Sequence, residues 1–515
     1  MKQFLFFIIS LLFISKGISQ TEENYIIQND TNNHKLIKGI ILDAGNDIPL
    51  PYANIFLLHK NSGVVSNEAG YFSLDISSSN DEDSIRISYI GYKTKELTIK
   101  ELKISSNISL KEDHLMLNNI TLFGSNPDPI KIIEKVLENR SMNYKETNCK
   151  KHVFLRNRYI SNVKEINFDH KKSSFLDINE KRIEILENEI PQQTVSYKDF
   201  LGDVYVLKGE SESTKLKIDP VKIIELEQKN DLTNLGELEE TFKKEFINTK
   251  NNEYWKIKTG IIGGKLEIDE NSISVGNNKS EENTDTLTNQ NKELFRSQKW
   301  SIKNLTSFST FNDEEEWEFL HNTNKYEYTI YGATVANGEE VYIIDFKPDH
   351  RGKFKGRMYI TMNTHALVRV DYEYDKGKVG TDLQLFGIGF SENTFNVSIY
   401  FEKKQNYYQL KYCSKMEGYE YSLDRSISLI KKKRRLFIDK KLEQIKIGIN
   451  FSGASESSIE MLVLEENKIN QDQFYNFIEK ENTEIIYVDQ FDDELWKGYS
   501  IIEPTKQMKE YKKLK

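Results

Sequence analysis

The chain has 515 residues, 38% hydrophobic and 29% charged, a balance that describes a soluble globular protein of two or three domains rather than a membrane one. Its net charge of −9 is modest for this length and spread along the chain, which argues against nucleic acid as a partner.

Lys2 supplies a short positive region, and Phe4 to Ile14 is an almost unbroken apolar run. Gly17 and Ser19 place small residues at positions −3 and −1 of a cleavage site, so residues 1–19 are expected to be a signal peptide and the mature chain to begin at Gln20. The run is too short to span a bilayer comfortably, and a signal anchor is the alternative. No cysteine follows it, so lipid attachment is not expected. No later stretch approaches the roughly 18 apolar residues of a membrane helix. The expected location is therefore the periplasm or the periplasmic side of the outer membrane.

Short strands separated by turn residues follow. Leu36–Leu42 is ended by the cluster Asp43-Ala44-Gly45-Asn46-Asp47, and Ala53–Leu58 comes next. Asn61-Ser62-Gly63 turns into Val64-Val65, and Asn67-Glu68-Ala69-Gly70 turns again before Tyr71–Ile76. Ser84–Ile90 alternates, Gly91 permits a bend, and Thr94–Ile99 and Ile104–Leu110 complete a set of about seven strands that reads as a small antiparallel sandwich. Asn67 and Gly70 suit a tight turn with positive φ, while Phe72, Leu74, Ile87 and Tyr89 are expected between the sheets.

Three stretches of this module occur in fixed order: Gly39 and Asp43 before Pro49-Leu50-Pro51-Tyr52-Ala53-Asn54-Ile55; Gly63 and Asn67-Glu68 before Gly70-Tyr71-Phe72-Ser73-Leu74; and Ile87-Ser88-Tyr89-Ile90-Gly91-Tyr92-Lys93. Together they resemble the carboxypeptidase-regulatory-like domain of Bacteroidetes envelope proteins, over residues 36–122. The resemblance implies a transthyretin-like β-sandwich that accompanies other domains, and implies no peptidase activity.

Leu117–Leu122 reads as a last strand or linker. Asp128-Pro129 then opens a helix with Asp at the N-cap and Pro at the first helical position. This linking helix, residues 128–144, presents Ile130, Ile133, Val136 and Leu137 as a stripe and ends at Asn143-Tyr144. The second domain, 150–515, opens with a strand at Val153–Ile160 and a more polar stretch to about Asp203. Pro220–Gln228 and Leu235–Phe246 read as helices, and the Asn-, Ser-, Thr- and Glu-rich segment 271–291 as a mobile loop.

The most regular segment runs from Lys325 to Tyr374. Tyr326–Ile330, Val341–Lys347, Arg357–Met362 and Leu367–Tyr374 alternate with period two, joined by turns at Ala336-Asn337-Gly338 and Pro348–Gly352. Alternating strands follow at Asn396–Phe401, Tyr407–Cys413 and Gln444–Asn450. Phe346-Lys347-Pro348, Gly356-Arg357-Met358-Tyr359-Ile360 and Ala366-Leu367-Val368-Arg369-Val370 resemble the curved half-barrel sheet of periplasmic lipoprotein-carrier, LolA-like, proteins. Leu495 to Pro504 resembles the closing segment of Bacteroidetes proteins with this domain order. The fold class expected is mainly β with some α: a seven-stranded sandwich followed by an α+β antiparallel, half-barrel-like domain. An outer-membrane barrel is disfavoured by charges on both strand faces and by the ending Lys512-Lys513-Leu514-Lys515.

No catalytic motif emerges. None of the eight histidines has the His-x-x-Glu or His-Glu-x-x-His spacing of a metallopeptidase. Gly453-Ala454-Ser455 lacks the closing glycine of a hydrolase elbow, and Gly387-Ile388-Gly389 is only a fragment of a nucleotide-binding loop. Asp313-Glu314-Glu315-Glu316 reads as a solvated face rather than a calcium site, so no metal or cofactor is expected. Cys149 and Cys413 either pair in an oxidising compartment or stand as two separate buried thiols. Lys431-Lys432-Lys433-Arg434-Arg435 before Leu436-Phe437-Ile438 reads as a charged hairpin that blocks mis-pairing, with anionic lipid head groups as the other reading.

The meander presents one apolar face, Tyr342, Ile344, Phe346, Met358, Ile360, Val368 and Val370. It is either core under a helix or, as the carrier resemblance implies, the lining of a lipid cavity. The expected function is a non-enzymatic envelope protein in which the sandwich docks and the second domain binds a hydrophobic ligand or a partner protein. The rival readings are a glycan- or peptide-directed hydrolase whose site assembles only in the fold, and a surface adhesion or assembly component.

Overall fold

The structure is a computed structural model. It describes residues 35–511 apart from 60–61, 78, 114–126, 146, 176–177, 209–213, 228–248, 251, 260–261, 267–284, 337 and 481–484. The expected signal peptide, the strand at Leu117–Leu122 and the helix at Leu235–Phe246 lie outside these residues.

Seven strands form the N-terminal sandwich: β1 (Leu36–Asp43), β2 (Asn54–Leu57), β3 (Ser62–Val65), β4 (Tyr71–Asp75), β5 (Ser84–Ser88), β6 (Lys95–Thr98) and β7 (Asn107–Leu110). One sheet has the order β4-β1-β7 and the other β3-β2-β5-β6. It is not wholly antiparallel as expected, because β1 and β7 run parallel. A short helix, α1 (Ile99–Ile104), carries the chain between the sheets, started by a capping box between Thr98 and Glu101. Phe72, Leu74 and Ile87 fill the interior as expected, together with Ile41, Ile55 and Ile85. Gly70 has φ +76°, and an added Cβ would lie 2.8 Å from the Ile41 carbonyl oxygen. Asn67 keeps a negative φ and shapes the turn with its side chain, which accepts from the Ala69 and Tyr71 amides at 3.0 Å each.

Asp128 caps α2 (Pro129–Glu138) by accepting from the Ile130 amide at 3.0 Å. A second turn, α3 (Arg140–Asn143), follows Asn139. The buried stripe is Ile132, Ile133 and Val136; Ile130, expected there, is exposed. Asn143 Nδ2 donates to the Thr364 carbonyl at 2.9 Å and the Tyr144 hydroxyl to Leu367 O at 2.7 Å, so the helix end is pinned to the meander.

The rest is one large open sheet. Its strands are β8 (Cys149–Ser173), β9 (Gln193–Leu207), β10 (Lys215–Glu227), β11 (Glu253–Thr259), β12 (Ile262–Leu266), β13 (Tyr326–Ala336), β14 (Glu339–Pro348), β15 (Phe354–Thr361), β16 (Leu367–Tyr374), β17 (Asp382–Leu385), β18 (Ile388–Lys404), β19 (Tyr407–Lys433), β20 (Lys440–Lys468) and β21 (Ile485–Val488). The main path is β13-β14-β15-β16-β18-β19-β20-β8-β9-β10-β21, with β11, β12 and β17 beside it. The meander has the strands expected and the turn at Pro348–Gly352; Asn337 of the other expected turn lies outside the described residues.

Two expectations fail here. Residues 220–227 are strand, not helix: Ile223 faces one core and Ile224 the other, so the period-two signal disappears. Pro220 is accommodated at a register shift before Lys222. The expected loop at 271–291 becomes helix from Asp285, where α5 (Asp285–Phe308) begins; 271–284 lie outside the described residues. Leu294, Phe295, Ile302, Leu305 and Phe308 of α5 join Ile133 and Val136 of α2 in the core over one face of the sheet.

That core is a row of strand residues in strict register: Ile344, Met358, Val370, Ile399, Cys413, Met461, Leu155, Phe200 and Ile223, each the cross-strand partner of the next. All nine are buried in the same cluster. The other sheet face, beside this row, carries the sandwich. Tyr52 stacks on Tyr412 at 4.7 Å, and Arg369 donates to the Tyr89 hydroxyl at 3.1 Å. Tyr89 thus faces the sheet instead of the sandwich interior. The segment 496–504 straps the two together. Trp496 lies edge-on to Phe154 at 5.5 Å, Ile501 and Ile502 are buried, and Glu503 O accepts from Asn67 Nδ2 at 3.0 Å.

Beyond the core, β8, β19 and β20 continue as a long ribbon, covered near Ile445 by α4 (Glu180–Glu189) through Ile183.

Candidate functional site

The apolar meander face is core. Tyr342, Ile344, Phe346, Met358, Ile360, Val368 and Val370 are all buried, and the aromatic residues after α5 close over them. Phe319 stacks on Phe346 at 4.3 Å, and the Trp317 indole, itself fully buried, donates to Phe308 O at 3.0 Å. Val368 sits at the irregularity between β15 and β16. Of the two readings of this face, the structure shows the core.

Cys149 and Cys413 are buried in that same core, but no disulfide joins them. Both flank β20, Cys413 opposite Met461 and Cys149 opposite Lys468. The two partners are separated by roughly 20 Å of strand, far beyond the ~7 Å Cα separation that a disulfide tolerates. The bridge left open by the sequence is thus excluded by register.

One residue along from the core row, every side chain points to the sandwich face, and there the strands carry a polar row. Asp345, Arg357, Asp371, Ser398, Ser414, Glu460, Arg156 and Asp199 are successive cross-strand partners on β14, β15, β16, β18, β19, β20, β8 and β9. At the ~4.8 Å strand spacing they make a ladder of alternating charge interrupted by two serines. Arg357 forks onto Asp345 at 2.6 and 2.9 Å. Asp371 accepts from Arg369 Nε at 2.7 Å and from Ser398 Oγ at 2.6 Å. Arg156 forks onto Asp199 at 2.9 and 2.8 Å and gives its remaining nitrogen to Ile502 O at 3.0 Å.

The ladder floors a cleft of about 670 Å³ where the sandwich meets the sheet. Its sandwich side is Tyr52 and Glu68, and Thr505 closes one end. Lys355, Met416, Ser458 and Arg158, one strand pitch further from the sandwich, complete the floor. Tyr52 is held at φ +62°, a left-handed conformation costly for an aromatic residue, at the point where the cleft meets the ring of Tyr412. Glu460 lies at the centre. Burial pushes its carboxyl above the usual range, against the pull of Arg156, and the Tyr412 hydroxyl donates to it at 3.0 Å. Burial likewise raises Tyr52.

The arrangement offers hydrogen-bonding groups of both signs along one groove. The ladder carboxylates Asp345, Asp371, Glu460 and Asp199 each have a protein partner, which suits positioning and recognition. Among the described residues no group of three or more His, Cys, Asp or Glu side chains is placed to hold a metal ion. Sequence reasoning did not assemble this site, because its residues come from eight strands scattered between positions 156 and 460. The available signal was a single charged residue inside otherwise apolar strands, as in Val341-Tyr342-Ile343-Ile344-Asp345-Phe346.

No curated protein matches the chain. Among solved structures, MucB in complex with MucA(peri) covers 63% of this chain and 94% of its own at 6% identity, with a TM-score of 0.15. The Pseudomonas aeruginosa MucA/MucB complex covers the same shares at 5% identity and a TM-score of 0.14. Scores this low carry neither fold nor function to the present chain. Residues 37–122, which include the N-terminal sandwich, match the CarboxypepD_reg-like domain family, a non-catalytic module.

Proposed function

We propose that the protein is a non-enzymatic binding protein of the cell envelope, in which the sandwich docks on the sheet and the cleft between them holds a polar segment of a partner protein. The observation that carries this reading is the charge ladder under the sandwich edge, 670 Å³ of groove with donors and acceptors at regular strand spacing. The apolar face of the same strands is closed by helices, which moves the binding site to the opposite face. Because the ladder charges are already paired, recognition here rests on shape and hydrogen bonds rather than on net charge. The envelope location rests on the N-terminal residues described above.

Site-specific photocrosslinking in an envelope extract tests this. A photoreactive residue in place of Met416, inside the cleft, is expected to give one discrete protein adduct that is lost in an Arg158→Ala background. The same residue in place of the exposed Tyr159 is expected to give none. Identical adducts from both positions would sink the reading.

A further inference from the structure

The ribbon ends where Lys433 pairs with Lys440. The loop between them places Leu436, Phe437 and Ile438 at its apex, 98%, 97% and 83% exposed. Scattered apolar side chains are ordinary on a protein surface, but three consecutive ones at the end of a long projection form a patch without an intramolecular purpose. The loop is built. Asp439, its one acid, accepts from the Arg435 amide at 3.1 Å and from the Tyr254 hydroxyl at 2.7 Å. The Arg434 amide donates to Asn252 O at 2.8 Å. These bonds fix the loop base on β11 and leave the three apolar residues outermost.

Cations flank the apex on both strands as a basic collar: Lys432 and Lys433 lie opposite Lys441 and Lys440, and Arg434 and Arg435 follow in the loop. Lys431 is not part of it, being buried with its ammonium 5.6 Å from the Trp255 ring centroid. Among the described residues the nearby acids are few: Asp439 is engaged within the loop, Glu253 lies opposite Lys433 on β11, and Glu443 pairs with Lys431 at 3.7 Å. An apolar apex inside a basic collar matches the profile of an anionic bilayer surface, with acyl chains beneath a layer of phosphates. A hydrophobic pocket on a partner protein would account for the apex and leave the collar unexplained.

We propose that the β19–β20 tip is a membrane anchor that inserts Leu436, Phe437 and Ile438 into a leaflet bearing anionic head groups, with the basic collar seated among the phosphates. Lys433 lies nineteen residues along β19 from Ser414, so roughly 60 Å of ribbon separates the membrane surface from the cleft. The anchor is independent of what the cleft binds.

The test is flotation of the full chain with vesicles of phosphatidylcholine, with and without phosphatidylglycerol. Binding is expected only when phosphatidylglycerol is present, and to weaken as salt is raised. The variant Leu436→Ser/Phe437→Ser/Ile438→Ser is expected to lose at least about tenfold in partitioning. Each Lys→Gln change in the collar is expected to lose about fivefold. The three apolar side chains are almost wholly exposed, so these variants keep the fold, which circular dichroism checks. In Phe437→Trp, the new indole is expected to shift its emission to the blue on phosphatidylglycerol vesicles and to be quenched by brominated acyl chains. No binding to anionic vesicles would overturn the proposal. So would a triple variant that partitions like the parent, or an indole at 437 that stays in water on bound vesicles.

Discussion

The buried ion pair between Arg156 and Asp199 gives the sharpest test of how sandwich, strap and sheet are joined. Arg156 is 3% exposed and Asp199 1%, and the two share a forked contact at 2.9 and 2.8 Å. Burial works against the guanidinium charge, and the Asp199 carboxylate more than compensates, so the pKa is raised and the group stays charged. Asp199→Ala removes both bonds and leaves that charge hydrogen-bonded only to the Ile502 carbonyl, with Glu460 and Glu503 as the remaining carboxyl groups acting on it. Breaking a buried pair from one side costs about 3–5 kcal/mol. Arg156→Met should cost a similar amount, because it strands the Asp199 carboxylate and frees the strap. The double variant Arg156→Met/Asp199→Leu strands no charge. It loses mainly the bond to Ile502, worth about 1 kcal/mol, and should lie within about 2 kcal/mol of the parent. Urea denaturation followed by far-ultraviolet circular dichroism measures all four proteins. Single variants within about 1 kcal/mol of the parent, or a double variant as costly as the two singles summed, would refute the reasoning.

Further expectations concern the cleft, the core and the turn. Glu460 is raised by burial, so the folded state holds its proton more tightly than the unfolded one. The cost of ionising it is absent below the ordinary value of 4.5 and accumulates as pH rises from there to the raised folded value. Glu460→Gln should therefore stabilise the protein near neutral pH and have no effect at about pH 3, as paired denaturation curves would show. Trp317→Ala should cost about 3–5 kcal/mol, since the fully buried indole touches Phe308, Phe311, Phe319 and Tyr372, and near-ultraviolet circular dichroism should report the loosened cluster. Asn67→Ala removes two turn bonds and the contact to Glu503 O, and should cost about 2–3 kcal/mol by urea denaturation. Burial pushes the Cys413 thiol up to about 12. With Cys149 also buried, a disulfide reagent at about pH 8 should find both thiols in denaturant and neither in the native protein.

Legibility in the sequence followed burial geometry. In the meander the alternation of Val341 to Phe346 and Leu367 to Tyr374 was readable because one face meets the core and the other is partly polar. At 220–227 both faces are covered, Ile223 by one core and Ile224 by the other, so alternation vanished and a helix was read instead. The turn at Asn67–Gly70 was readable because its chemistry is local. The ladder was not, because Asp345 and Arg156 join one row only through the register of the five strands between them. The tip residues Leu436 to Ile438 were visible as a string; their exposure depends on where two long strands happen to end.

The strap at 496–504 also bears on the order of events during synthesis. Sandwich residues leave the ribosome first and close their own core early. Asn67 of the sandwich meets Glu503 O only after more than four hundred further residues have been made, and Arg156 of the sheet meets Ile502 O only after more than three hundred. Until then the sandwich and the sheet meet only through direct contacts such as Tyr52 on Tyr412 and Arg369 on Tyr89. A chain stopped before Trp496 would hold both halves and lack the buckle, which makes the final stretch of translation the moment at which this cleft acquires its shape.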